Sequence, residues 1–378
     1  ILILFHISLY FREKAKLQPY LVSFSYVLRM IRFGNEITAA VINEGIKEEI
    51  NEIRELTDGF NKLSSFSGIA MSMQNPVGSS NPIDVIFDYL RMLFHFDLMK
   101  FQQMLRIIRE REEDIVSLTR KIGTLDAAAS ICYYRSSLQT YSEPMFLKYT
   151  DDVQTSAVLK EVYHPLLQDP VSNSLEMKKN ILLTGSNASG KSTFLKTVAL
   201  NAVFAQSILT CLAVEYSFPM VRVMTSMSLR DDITSGKSYY MQEIEAILRI
   251  LKACEDDVKT PVFCCVDEVL RGTNTVERIA ASAQILKTLS EKGVMAFAAT
   301  HDIELTSLLE EEYDNHHFEE TYVDGNISFS YKLKSGRATS RNAIKLLGAL
   351  GYDGKLIERA EEMSSNYMKT GKWETVQR

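Results

Sequence analysis

Gly185-Ser186-Asn187-Ala188-Ser189-Gly190-Lys191-Ser192 fits the pattern G-x-x-x-x-G-K-[ST] without a mismatch, and it follows the apolar run Ile181 to Thr184. Glycines at the ends of such a loop let backbone N–H groups converge on phosphate oxygens. Lys191 supplies a point charge to the β- and γ-oxygens, and Ser192 offers a hydroxyl to Mg²⁺. The strand-like run before the loop and the helix-like run Ser192 to Gln206 after it supply the context that this chemistry needs. A glycine-containing turn that binds nothing would need neither flank. The stretch therefore implies an ATP or GTP site and an α/β fold around it.

The surrounding composition is that of a globular protein. The chain has 378 residues, enough for two or three domains, with 46% hydrophobic residues and a formal net charge of −6. The negative balance excludes a chain-wide basic surface, so any nucleic-acid contact has to come from a local patch or from a surface shared between copies. Cys132, Cys211, Cys254, Cys264 and Cys265 contain no C-x-x-C pair, and Cys264 and Cys265 lie in an apolar run. They read as small hydrophobes of a reducing, cytoplasmic compartment.

At the N-terminus, Ile1 to Phe11 is nearly all apolar and is followed by Arg12, Lys14 and Lys16. That run is shorter than the about 20 residues a bilayer crossing needs. It fits the last turns of a membrane helix within residues 1–16, a tether extending upstream of residue 1, and it fits a soluble helix packed on a core equally well.

From residue 17 to about residue 150 the apolar residues recur at helical spacing. Ile46, Ile50, Ile53, Leu56, Phe60 and Leu63 form one stripe, and Leu90, Leu93, Phe94, Leu98, Phe101, Leu105 and Ile108 form another, within a helical stretch from about Ile83 to Lys121. The breaker-rich segment Gln74 to Pro82 separates them, so a helical hairpin is the simplest picture. The charged run Arg109 to Asp114 reads as a solvated helix face. From 151 to 335 short apolar strands alternate with helices: Ile181 to Thr184, Met220 to Met224, Val262 to Val266 and Val294 to Ala299. Thr321 to Val323 and Ile327 to Leu333 flank Asp324-Gly325-Asn326 as a β-hairpin. Residues 336–378 close the chain with two short helices, near Thr339 to Leu350 and Gly354 to Met368.

In α/β sheets of this kind ligands bind beyond the carboxyl ends of the strands. Phe263 to Val266 ends there in Asp267-Glu268, where Asp267 is suited to Mg²⁺ and Glu268 to polarising the water that attacks a γ-phosphate. A plain helix cap is the competing reading of such an acid pair. Thr300-His301-Asp302 follows a third strand, which places His301 within reach of the γ-phosphate or the water. His316 and His317 lie beside an acidic stretch without spaced partners, and they read as surface residues.

Four segments in order carry a resemblance to a known family. They are Thr184-Gly185-Ser186-Asn187 into Gly190-Lys191-Ser192-Thr193, Ser235-Gly236-Lys237-Ser238 into Tyr239-Tyr240-Met241-Gln242-Glu243, Asp267-Glu268-Val269-Leu270-Arg271-Gly272-Thr273-Asn274, and Ala299-Thr300-His301-Asp302-Ile303-Glu304-Leu305-Thr306. Together they resemble the ATPase domain of the MutS family of DNA mismatch repair proteins. Leu125-Asp126-Ala127 and His164-Pro165 extend the similarity, which covers roughly residues 83 to 365.

The resemblance implies an α/β P-loop NTPase of the ABC class, MutS type, preceded by an all-helical core or lever-like domain. It implies ATP and Mg²⁺, and a homodimer in which each site is completed by the partner chain. Ser238 corresponds to the signature serine that contacts the γ-phosphate of the opposite chain, with Met241 and Glu243 holding its segment. By its position alone Ser238 is a helix cap. Gly185 to Thr193, with Ala188 and Ser189 included, corresponds to the phosphate loop. Thr273 and Asn274 correspond to the loop that crosses between chains, and residues 336–378 to a helix-turn-helix-like dimerisation extension. Val171 stands where the family stacks an aromatic on adenine, and Asn173 matches the family's asparagine.

The departures are equally specific. Phe11-Arg12-Glu13 shares only a bare three-residue pattern with the family's mismatch-reading wedge, no Smr-type nuclease tail is expected, and the helical half is too short for full levers and clamp. Two functions follow as expectations: an ATP-driven dimer coupled to mismatch-repair-like DNA binding, or a membrane-tethered ATP-driven switch acting on a protein partner. A silent nucleotide-binding module does not explain the presence of Lys191, Asp267, Glu268 and His301 together. An ABC transporter subunit is disfavoured because the Leu-Ser-Gly-Gly-Gln signature is absent, and a coiled-coil chromosome protein because no long heptad insertion separates loop from acid pair.

Overall fold

The structure is a computed structural model that describes residues 2–40, 44–60, 63, 90, 93–149, 157–186, 189–227, 239–256, 260–271, 273–323, 326–338, 344, 347–348 and 351–373. The breaker-rich segment 74–82, the Asn187-Ala188 pair, Ser235 to Ser238, Gly272, the hairpin turn at 324–325 and most of the expected helix at 339–350 lie outside these residues. The chain divides into two compact units, Ile1–Tyr134 and Arg135–Arg378.

The described part of the first unit is helical. It contains α1 (Leu2–Ala40), α2 (Lys47–Asp58), α3 (Phe96–Glu110) and the greater part of α4 (Glu112–Ser137). The apolar run Ile1 to Phe11 enters α1, which continues through Arg12, Glu13, Lys14 and Lys16. No helix among the described residues is long and apolar enough to cross a membrane. Ile53, Phe60 and Leu63 of the first stripe are buried with Phe24, Phe101 and Leu118. Leu90 and Phe94 of the second are exposed, because α3 begins only at Phe96, after His95 at φ +54°. The charged run is not one continuous solvated face, because helix α3 ends inside it. The Arg111 N–H bonds back to the Ile108 carbonyl at 3.2 Å. Its guanidinium lies over the Phe60 ring, 5.7 Å from the centroid, so an apolar ring and not water takes one face of this cation.

The second unit is α/β. In chain order it contains β1 (Met145–Leu147), β2 (Ala157–Val162), β3 (Asn173–Met177), β4 (Asn180–Thr184), α5 (Lys191–Ile208), β5 (Glu215–Pro219) and β6 (Arg222–Ser226). It continues with α6 (Tyr239–Ala253), β7 (Val262–Asp267), α7 (Thr275–Glu291), β8 (Met295–Ala299), α8 (Leu305–Leu308) and β9 (Tyr313–His317). Last come β10 (Glu320–Val323), β11 (Asn326–Phe329), β12 (Lys334–Ser335) and α9 (Gly354–Thr370).

The central sheet has the order β12-β9-β4-β8-β7-β6, with every neighbour parallel from β9 to β6 and β12 antiparallel at the edge. The middles of β4, β7 and β8 are apolar because both faces are covered, whereas β9, next to the edge, carries Asp314, Asn315, His316 and His317. Ile181 and Leu183 of β4, Phe263 and Cys265 of β7, and Phe297 of β8 join the cluster that includes Phe194, Leu195 and Val198 of α5. Leu182, Cys264, Val266, Ala296 and Ala298 point to the opposite cluster with Ile247 and Ile250 of α6 and Leu286 of α7. Alternate residues thus feed opposite cores, as strand geometry requires. Cys211, Cys264 and Cys265 are buried, and the five cysteines are free thiols.

Two sequence expectations shift, and one sheet is added to them. The strand expected at Met220 to Met224 is Arg222–Ser226, because the Val221 N–H is taken by Gln206 Oε1 at 2.7 Å and ladder pairing starts only at Arg222 with Val262. His316 and His317 are not surface residues: they end β9, which pairs with β4, and burial lowers the pKa of His316. A four-stranded sheet, β1-β5-β2-β3, was not foreseen.

Candidate active site

Parallel pairing brings the carboxyl ends of β4, β7 and β8 together, with Asp267 opposite Ala299 and Leu183 opposite Ala299 on the other side. The loop after β4, the acid pair after β7 and His301 after β8 therefore converge by register alone. The loop needs its glycines. Gly185 has φ +134° and Gly190 +113°, and a Cβ on Gly185 would lie 2.5 Å from the Phe318 carbonyl oxygen. Ser189 is buried and committed within the loop, its hydroxyl donating to the Ser186 carbonyl at 2.8 Å. Helix α5 starts directly behind, so its first N–H groups face the loop, as in anion-binding helix starts.

Lys191 is only 4% exposed. Its ammonium donates to the carbonyls of Gly185 at 2.7 Å and Ser186 at 2.8 Å. Burial lowers its pKa to about 8, against the opposing pull of Glu268, Asp267 and Glu320. Glu320 is itself tied to the loop by the Ser186 hydroxyl at 2.9 Å. A buried cation hydrogen-bonded to carbonyls is a receptor for an anion, which fits phosphate.

Glu268 sits at φ +62°, a left-handed conformation unusual for a side chain of this kind, and Leu270 follows at +59°. The Glu268 N–H bonds to the Ala299 carbonyl at 2.9 Å. Its carboxylate meets His301 Nε2 at 2.8 Å through Oε1 and Arg271 Nε at 3.1 Å through Oε2. The hydrogen bond to His301 holds its pKa below the usual carboxylate range, although burial opposes this. Lys191 Nζ stands 3.5 Å from the same histidine nitrogen. One ring nitrogen serves one of the two at a time, and the shorter approach is to Glu268. Glu243 of α6 is buried, and its Oε1 accepts from the Leu270 N–H, which fastens the loop behind Glu268; burial raises its pKa.

A cavity of about 510 Å³ opens beside the loop, lined among others by Val171, Asn173, Lys191, Ser192, Thr193 and Tyr331. Val171 is 38% exposed, and Asn173 is buried. The Asn173 amide donates to the Tyr331 carbonyl at 3.0 Å, and its oxygen accepts from the Leu333 N–H at 2.7 Å. This bracket ends the second hairpin arm at Phe329 and fixes Tyr331, at φ +52°, over the cavity. Sequence reasoning missed Tyr331; an aromatic two residues beyond Phe329 was the available signal, and the ring pair stacks at 5.9 Å. Asn274 caps α7 by accepting from the Val276 N–H at 3.0 Å.

The model of MutS domain V matches residues 181–368, the span from β4 through the acid pair and His301 to α9. A protein described as DNA mismatch repair protein MutS, from Thermotoga sp. (strain RQ2), is 27% identical over 276 residues, covering 71% of this chain and 34% of that protein. One of the same description from Pseudothermotoga lettingae is 30% identical over 298 residues, 71% of this chain and 35% of that protein. MutS protein homolog 4 of Homo sapiens is 30% identical over 271 residues, 67% of this chain and 28% of that protein. The chain belongs to the MutS family. As a MutS-family chain it carries the family's domain V, and it spans about a third of the length of the curated MutS relatives that it matches.

Proposed function

We propose that this chain is a P-loop NTPase of the ABC class, MutS type, which binds ATP with Mg²⁺ and hydrolyses it to ADP and phosphate. The observation that carries this reading is the convergence of Lys191, Glu268 and His301, the first two lining one cavity, behind a loop whose turns at Gly185 and Gly190 require glycine.

In this reading the triphosphate lies along residues 185–193, with Lys191 exchanging its carbonyl partners for phosphate oxygens. Ser192 and Asp267 would hold Mg²⁺, which would neutralise charge on the phosphates. Glu268, kept ionised by its low pKa, orients and polarises the attacking water; a carboxylate this acidic acts by orientation more than by removing a proton outright. His301, hydrogen-bonded to Glu268, serves the γ-phosphate or the attacking water from that position. Tyr331 and Val171 flank the base, with Asn173 fixing the tyrosine.

The domain division proposed is a helical core or lever-like domain over 17–150, the ATPase over 151–335 and a dimerising C-terminal extension over 336–378. Two copies share two sites, with Ser238 and the Thr273-Asn274 segment supplied across the interface, and the cycle is coupled to mismatch-repair-like DNA binding. The similarity to proteins described as mismatch repair MutS supports that coupling. The test is Mg²⁺-dependent phosphate release by the purified chain, with and without duplex and mismatched DNA at low and physiological salt. Absence of turnover removes the ATPase reading; turnover indifferent to DNA, with no DNA bound, removes the coupling.

A further inference from the structure

Arg278 stands in the first turn of α7, and Asp302 is the chain neighbour of His301. The Arg278 guanidinium donates from Nε to Asp302 Oδ2 at 2.9 Å and from Nη2 to Asp302 Oδ1 at 2.6 Å. The two side chains are 22% and 12% exposed. A two-pronged, mostly buried pair of this kind fixes direction as well as distance, unlike a solvated surface pair. The turn it grips is held on its other side too. The Asp302 N–H donates to Thr300 Oγ1 at 3.0 Å, and the Thr300 N–H donates to the Leu183 carbonyl at 2.9 Å, on the strand that leads into the phosphate loop.

The segment before α7 is fixed independently. Glu243 holds the Leu270 N–H, the Ser282 hydroxyl donates to the Val269 carbonyl at 3.2 Å, and the Arg278 N–H bonds to the carbonyl of the cap residue Asn274 at 2.8 Å. Arg278 thus adds a side-chain clamp from the start of α7 to the turn that carries His301, beside the backbone tie from the Glu268 N–H to the Ala299 carbonyl.

We infer that Arg278 and Asp302 are positioning residues for the ATPase reaction: their pair sets the His301 ring against Glu268. The inference rests on the ATPase reading above and adds to it two residues that act through His301.

The experiment compares kcat and nucleotide dissociation constants of the full chain with those of Asp302→Asn, Arg278→Gln and Arg278→Lys, and of each of the first two combined with His301→Ala. Asp302→Asn is nearly isosteric and carries the test if Arg278→Gln does not fold. The expected result is a fall in kcat of about tenfold for Asp302→Asn and Arg278→Gln, nucleotide affinity within about twofold of the parent, and partial recovery in Arg278→Lys. In the double variants kcat should be no lower than in His301→Ala alone, because the pair acts through that ring. Unchanged kcat in the single variants, or losses that multiply with His301→Ala, would overturn the inference while leaving the ATPase reading intact. A parent chain without turnover would overturn both.

Discussion

Glu268 accepts a hydrogen bond from His301 at 2.8 Å, and this contact joins the ends of two neighbouring parallel strands across the mouth of the cavity. Two groups that could each serve the γ-phosphate are engaged with one another. Each side chain therefore fixes the orientation of the other at the strand ends.

Replacing Glu268 by Gln removes the charge and keeps the shape. Turnover should fall by about a hundredfold or more, while ATP remains bound and the closed dimer accumulates. Phosphate release and size-exclusion chromatography with ATP check both halves, and undiminished turnover would show that another group orients the water.

Sharing of sites between copies predicts complementation. Ser238→Ala and Lys191→Ala should each be impaired alone, and mixing them should restore part of the activity, because one composite site in the mixed dimer is intact. A mixture no more active than the sum of its parts would place each site within a single chain.

The depressed pKa of Lys191 gives a pH dependence of definite sign. In the nucleotide-free protein the ammonium loses its proton as pH rises through about 8, and a bound triphosphate favours the charged form. Affinity should be flat below that value and fall by up to about tenfold per pH unit above it, with proton uptake on binding approaching one. The unfolded side chain keeps its proton up to its ordinary value of 10.5, so between about 8 and 10.5 the unfolded state binds more protons and the nucleotide-free fold gains stability with rising pH. Calorimetry in buffers of different ionisation heat measures the uptake, and binding independent of pH and buffer would contradict the assignment.

Tyr331→Ala removes the aromatic wall of the cavity. ATP affinity should weaken by about tenfold, the size of one base stacking contact, while tripolyphosphate binding stays the same. Equal loss for both ligands would show that Tyr331 supports the loop and not the base. Asn173→Ala, which releases the Tyr331 bracket, should shift ATP affinity in the same direction.

The glycine loop, the strand that ends in Asp267-Glu268 and the first helical stripe, Ile53, Phe60 and Leu63, were legible in the chain because their signals are local. Glycines mark a backbone that only they can adopt, unbroken apolar runs mark strands covered on both faces, and a repeat near 3.6 residues marks a buried helix face. The β1-β5-β2-β3 sheet is weakly announced: β1 and β2 meet β5 only across long stretches of chain, Lys160 and Glu161 interrupt β2, and β3 opens on the polar pair Asn173-Ser174. Nor does sequence reveal that Asn173 holds Tyr331, that Glu320 touches the phosphate loop or that Arg278 grips the residue beside His301. Those are meetings between segments brought together by sheet register and helix packing. The sequence by itself determined which residues are candidates for the site, and the tertiary structure alone decided which side chains meet there, because those contacts form only after the core has closed.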